Sequence, residues 1–113
     1  MVNAARSPAL DGALAEAKRR LQAVFGARLL ELRLFGSVAR GEAGRESDVD
    51  LLVVLDRVNT FHDRIVAMDA VIGVGMERDF LFEPMVLDAD ELALLRRRET
   101  AIARALDGDG VSL

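Results

Sequence analysis

The stretch GSVARGEAGRESDVDLLVV, Gly36 to Val54, decides how the rest of the chain is read. Its second half, within Asp48 to Asp56 (DVDLLVVLD), is apolar, β-branched and bounded by turn residues, which predicts a strand. Its first half, residues 36–47, holds three glycines and almost no large apolar side chain, which predicts a loop with one helical turn at Val38 to Arg40. Loops this polar are either mobile or functional. On a strand, residues two apart point to the same face. Asp48 and Asp50 therefore share a face with Leu52 and Val54, while Val49, Leu51, Val53 and Leu55 line the other.

Two carboxylates aimed the same way repel each other unless something positive lies between them. Magnesium suits the position, because it takes oxygen ligands, accepts one or two protein carboxylates, and fills its shell with water and substrate phosphates. Twelve residues before Asp48, Gly36 ends an apolar segment and lets backbone approach a polyphosphate. Ser37 adds a hydroxyl and an amide at the mouth of a short helical turn, where anions bind well. Metal site and phosphate cradle together fit a nucleoside triphosphate.

Working outward, Leu10, Leu14, Ala17, Leu21, Val24 and Phe25 keep helical spacing between an N-cap at Ser7, Pro8 at the first helical position and a stop at Gly26. Ala27 to Phe35 predicts a strand. After the central strand, Thr60 and Asp63 cap a helix with apolar positions Phe61, Ile65, Met68 and Ile72, ended by Gly73 and Gly75. Asp79 to Leu87 predicts a strand whose Pro84 belongs at a sheet edge or bulge. Asp88 and Glu91 form a capping box for a helix running through Leu92, Leu95, Ile102 and Leu106 to Gly108 and Gly110. The expected fold class is α/β, a small mixed sheet flanked by helices, and 113 residues predict one domain over 1–113.

Composition narrows the function classes. There is no Cys and one His, so thiolate and His-rich metal sites are excluded and any metal is oxygen-ligated. With 15 basic against 19 acidic residues the net charge is −4, and the aromatics are five Phe, which argues against a long nucleic acid as partner. No signal peptide or membrane-spanning run is legible, so no membrane role and a cytoplasmic location are expected.

The order Gly36-Ser37, ten residues, Asp48-Val49-Asp50 resembles the signature of the nucleotidyltransferase superfamily, which shares a fold with the β-type DNA polymerases. The chain most closely resembles its minimal members, the MNT type. The resemblance implies that Asp48 and Asp50 hold two magnesium ions and that Gly36 and Ser37 hold the triphosphate, with Arg40 of the Gly-Ser-x-x-Arg-Gly arrangement near the same site. It further implies a third carboxylate from a neighbouring strand, for which Glu83 is preferred over Asp79. An edge-strand charge that prevents aggregation is an equal reading of Glu83.

The implied reaction is attack of an acceptor hydroxyl on the α-phosphate of ATP, with release of pyrophosphate. Minimal members often pair with a HEPN-type helical protein as a toxin–antitoxin system, so the implied acceptor is a protein hydroxyl modified by AMP (AMPylation), with this chain as antitoxin. Two alternatives stand beside it. One is an inactive module that neutralises a partner by binding; the other is an aminoglycoside-type small-molecule transferase that builds its acceptor pocket as a homo-oligomer. His62 and the run Arg96 to Arg98 are read as solvated surface.

Overall fold

In a computed structural model the structure describes residues 7–36, 48–59 and 61–113, with Asp109 as backbone only. The expected cap at Thr60 and the helical turn at Val38 to Arg40 lie outside the described residues. Helix α1 (Pro8–Phe25) starts as predicted: the Ser7 hydroxyl accepts the Leu10 N–H at 3.1 Å and Pro8 opens the first turn. It buries Leu10, Ala13, Leu14, Ala17, Leu21 and Phe25, whereas Val24, read as part of the apolar stripe, is exposed. A 3₁₀ turn (Gly26–Arg28) leads into β1 (Leu29–Phe35).

Strand β2 (Val49–Leu55) follows, then helix α2 (Phe61–Arg78), β3 (Phe82–Asp88), helices α3 (Ala89–Arg97) and α4 (Ala101–Asp109), and the short β4 (Val111–Ser112). The described strands form one mixed sheet in the order β3-β2-β1-β4. β1 lies antiparallel to both β2 and β4, and β2 lies parallel to β3. A parallel neighbour needs a crossover, and α2 supplies it. The expected α/β class with a mixed sheet between helices is what the chain adopts.

The alternation in β2 sorts the core. Val49, Leu51, Val53 and Leu55 pack with α1 and α2 in the larger cluster, and Leu52 and Val54 pack with Leu92 and Leu106 in a smaller one on the opposite face. With both faces covered, β2 is buried at six of its seven positions, as a central strand should be. Arg20 ties α1 to α2, its Nη1 donating to Glu77 Oε1 at 3.2 Å. Among the described residues no helix is long and apolar enough to cross a membrane.

Four sequence expectations are corrected. First, α2 runs past Gly73 and Gly75 to Arg78. Gly75 is not a cap but a contact: a Cβ there would stand 2.6 Å from the Phe80 carbonyl oxygen and 3.2 Å from the Phe82 ring. Second, the buried face of α2 is Ala67, Val71, Val74 and Gly75; of the expected stripe, Met68 packs half-buried against the larger cluster and Ile72 is half-buried, whereas Phe61 and Ile65 are exposed. Third, β3 begins at Phe82, because Asp79 sits at φ 65 and closes α2 while the Phe80 N–H donates to the Gly75 carbonyl at 2.8 Å. Fourth, the capping box of Asp88 and Glu91 is present, but the helix it opens breaks at Glu99 (φ 50) and restarts at Thr100, whose hydroxyl accepts the Ala103 N–H at 3.2 Å. The break lets α3 and α4 each bury one flank, Leu92 and Leu106, against the same sheet face.

The Asp79 turn carries a prediction. An L-residue with a side chain is strained in the left-handed region where glycine is not. Asp79→Gly is therefore expected to raise unfolding stability by about 0.5–1 kcal/mol, measured by urea denaturation. No change or a loss would mean that the Asp79 side chain contributes an interaction outweighing the strain.

Candidate active site

Register places the acidic residues. In the parallel pair Asp50 lies beside Glu83, and in the antiparallel pair Asp50 lies beside Phe35, so the three side chains share one sheet face across β3, β2 and β1. Asp48 precedes the first residue of β2 and is exposed. The Val49 N–H donates to the Leu81 carbonyl at 2.9 Å, which pins the Asp48-Val49-Asp50 segment to the start of β3 and brings Asp48 up to Glu83.

The electrostatics confirm the convergence. The Glu83 carboxyl is pushed above its ordinary range, first by the hydrogen bond it shares with Asp48 and by Asp48's charge, then by partial dehydration, then by the charge and hydrogen bond of Asp50. Three carboxyl groups thus crowd one end of the sheet.

Gly36 completes the cluster from β1's end. Its φ of +77 is in the glycine region, and a Cβ would stand 2.3 Å from Asp50 Oδ2. Backbone therefore lies directly against the carboxylate, and an added side chain would displace it. The sequence reading assigned Gly36 to phosphate approach; the structure adds that Gly36 makes room for Asp50. Ser37 and Arg40 lie outside the described residues. Asp79, the alternative third acid, sits in the turn before Phe80 and not on the strand face with Glu83.

Sequence reasoning missed Phe35. It is half-buried beside Asp50 and packs with Leu52, Met85 and Leu87 in the smaller cluster. Its signal was the alternation of β1, in which Leu32 and Leu34 face the larger core and Phe35 the other side.

Whether this donor set suits magnesium can be judged from its chemistry. All donors are carboxylate oxygens, the kind a hard divalent cation takes. Their mutual repulsion, visible in the raised Glu83, is what such a cation would relieve. Among the described residues no three of His, Cys, Asp or Glu are grouped so as to hold a metal ion by themselves. The set fits a metal that shares its shell with substrate and water, not one enclosed by protein.

Glu83 gives a pH prediction. A carboxyl whose folded-state value is raised stabilises the fold below its unfolded value of 4.5, and that contribution is lost as pH rises through the raised value. Glutamine keeps a neutral hydrogen-bonding group at every pH. In chelator, Glu83→Gln is expected to melt higher than the parent at pH 7–8, with the gap closing below about pH 4.5. Calorimetric Tm values across that range check it, and superimposable curves would show that Glu83 does not feel the aspartates.

Comparison with known proteins supplies two matches. The model of the family described as "Nucleotidyltransferase domain" matches residues 14–102, a span that includes Gly36, both aspartates and Glu83. A protein of Methanocaldococcus jannaschii named "Putative protein adenylyltransferase" is 28% identical over 71 residues, which is 63% of this chain and 72% of that protein.

Proposed function

The chain belongs to the nucleotidyltransferase domain family, and from that premise we propose that it transfers AMP from ATP to a hydroxyl of a partner protein. Nucleotidyl transfer itself follows from the family; the finer reading is supported by the site. The observation that carries it is the register setting Glu83 beside Asp50, with Asp48 joined to both through Glu83's raised carboxyl.

In this reading Asp48, Asp50 and Glu83 would hold two magnesium ions, while Gly36, Ser37 and Arg40 would receive the triphosphate. Bound there, the ions would supply neutralising charge for the triphosphate and the departing pyrophosphate and would acidify the acceptor hydroxyl. The acceptor oxygen forms a bond to the α-phosphorus, the bond from that phosphorus to the bridging oxygen breaks, and the hydroxyl proton leaves to solvent or to a carboxylate. The protein's own contribution is positional. Asp50 is held between two strands, Asp48 is pinned by the Val49 to Leu81 hydrogen bond, and the Gly36 backbone is packed against the Asp50 carboxylate.

The name of the archaeal relative supports a protein as acceptor. The resemblance to MNT-type members extends this to a HEPN-type helical partner, with this chain acting as antitoxin from a single domain. The test is incubation with ATP labelled at the α-phosphate, magnesium and the protein product of the neighbouring gene. Label on that protein is expected. Neutralisation of the partner without any label would replace transfer by occlusive binding, and label on an aminoglycoside alone would move the acceptor to small molecules.

A further inference from the structure

In an in-line displacement the attacking oxygen enters opposite the leaving one. Across the site Gly36 stands at the end of β1, Asp50 on β2 and Glu83 on β3, and β3 is the edge of the sheet. With the triphosphate against Gly36, as in the proposed function, pyrophosphate departs on the β1 side. The acceptor hydroxyl then enters from the β3 side. An exposed side chain on β3's flank beside Glu83 is therefore in the acceptor's path.

That side chain is Leu81. Its carbonyl accepts the Val49 N–H at 2.9 Å, so the parallel pairing continues one step before Phe82 and brings Leu81 beside Asp48. Alternation puts Leu81 on the face of Glu83. Its neighbours hold it there: Phe80 and Phe82 stack with ring centroids 5.9 Å apart and pack with the larger cluster on the opposite face. Leu81 is left 59% exposed, next to the exposed acids Asp48 and Glu83. A lone exposed leucine needs no explanation by itself. This one stands two residues from Glu83, about 7 Å along the strand, on the side from which the acceptor comes.

We propose, resting on the reading of this site as an AMP transferase, that Leu81 is a specificity-determining contact for the acceptor, packing against an apolar side chain next to the hydroxyl that receives AMP. The contact is made by side chains, because the edge of β3 is closed to strand addition: Pro84 has no N–H, and Arg64 Nη1 donates to the Val86 carbonyl at 2.6 Å. An aminoglycoside, whose surface is hydroxyl and ammonium groups, gains nothing from a leucine. A protein segment with an apolar residue beside its hydroxyl does, by removing both side chains from water.

Steady-state transfer from α-labelled ATP to the protein product of the neighbouring gene reads the outcome. Leu81→Ala and Leu81→Asp, at a position exposed enough for the fold to tolerate, are each expected to raise the KM for the acceptor at least ~10-fold while the KM for ATP holds. Leu81→Met is expected to restore it. Once mass spectrometry has located the AMP, changing the apolar residue beside the modified hydroxyl to Ala should raise the acceptor KM with the parent chain and hardly at all with Leu81→Ala, as for two side chains in contact. An unchanged acceptor KM in Leu81→Asp, an equal rise in the KM for ATP, additive effects, or a modified hydroxyl with no apolar neighbour would overturn the inference while transfer itself stands. A partner left unlabelled by the parent chain would instead overturn the AMP-transfer reading, and the role of Leu81 with it. Circular dichroism confirms that each variant is folded.

Discussion

Asp48→Asn and Asp50→Asn are each expected to abolish transfer of label from α-labelled ATP while leaving the fold intact. Asparagine keeps the size and one carbonyl oxygen of aspartate but removes the charge that binds a hard cation. Loss of a group that merely orients a metal ligand costs roughly 10–100-fold, so loss of a ligand itself should exceed ~100-fold in turnover. Neither substitution opens a cavity, and each removes a negative charge from a cluster that already raises Glu83. Melting temperature in chelator should therefore hold or rise while activity vanishes, a combination that misfolding does not produce. The two variants separate in one respect: Asp50 is half-buried between Phe35 and Glu83, Asp48 is exposed at the strand's start. Relief of repulsion on Glu83 should be greater in Asp48→Asn, because the hydrogen bond and charge of Asp48 are the largest causes of its shift. Transfer persisting in either variant would place the chemistry elsewhere.

The parts of this arrangement legible beforehand depend on periods of two residues. The alternation from Val49 to Leu55 assigns each side chain to one of two clusters without knowledge of any neighbour. The same period placed Asp50 on the face of the smaller cluster, and register then brought in Glu83. What the pattern could not carry was anything decided by a partner in space. On α2 both stripes keep helical spacing, and the choice between them rests on Gly75, whose lack of a side chain lets Phe80 and Phe82 approach. The start of β3 turned on whether Asp79 continued the strand or entered the left-handed region, and local composition does not distinguish these. The break at Glu99 leaves no glycine or proline signal, because the need to cover one sheet face with two short helices imposes it. β4 is two residues long and exists through its pairing with Arg33 and Leu34.

The contact between Gly36 and Asp50 joins fold and chemistry most tightly, and Gly36→Ala should have the next largest effect. Two costs act together. The φ of +77 costs an alanine about 1 kcal/mol or more, and the new methyl would stand 2.3 Å from Asp50 Oδ2, so the carboxylate must move. Displacing a reacting group by about 1 Å costs on the order of 100-fold in rate, so activity should fall by at least that much even at temperatures where the variant is folded. The two costs are separable in an Asp50→Ala background. The position a Cβ would take on residue 36 is 3.4 Å from the Asp50 Cβ, an ordinary contact, so only the backbone strain should remain there. Urea denaturation of the parent, both single variants and the double variant forms a cycle. Gly36→Ala should cost about 2–3 kcal/mol with Asp50 present and about 1 kcal/mol without it. Equal costs in both backgrounds would mean that the carboxylate turns aside freely, and Gly36 would then serve the triphosphate loop alone instead of setting the position of the central acid.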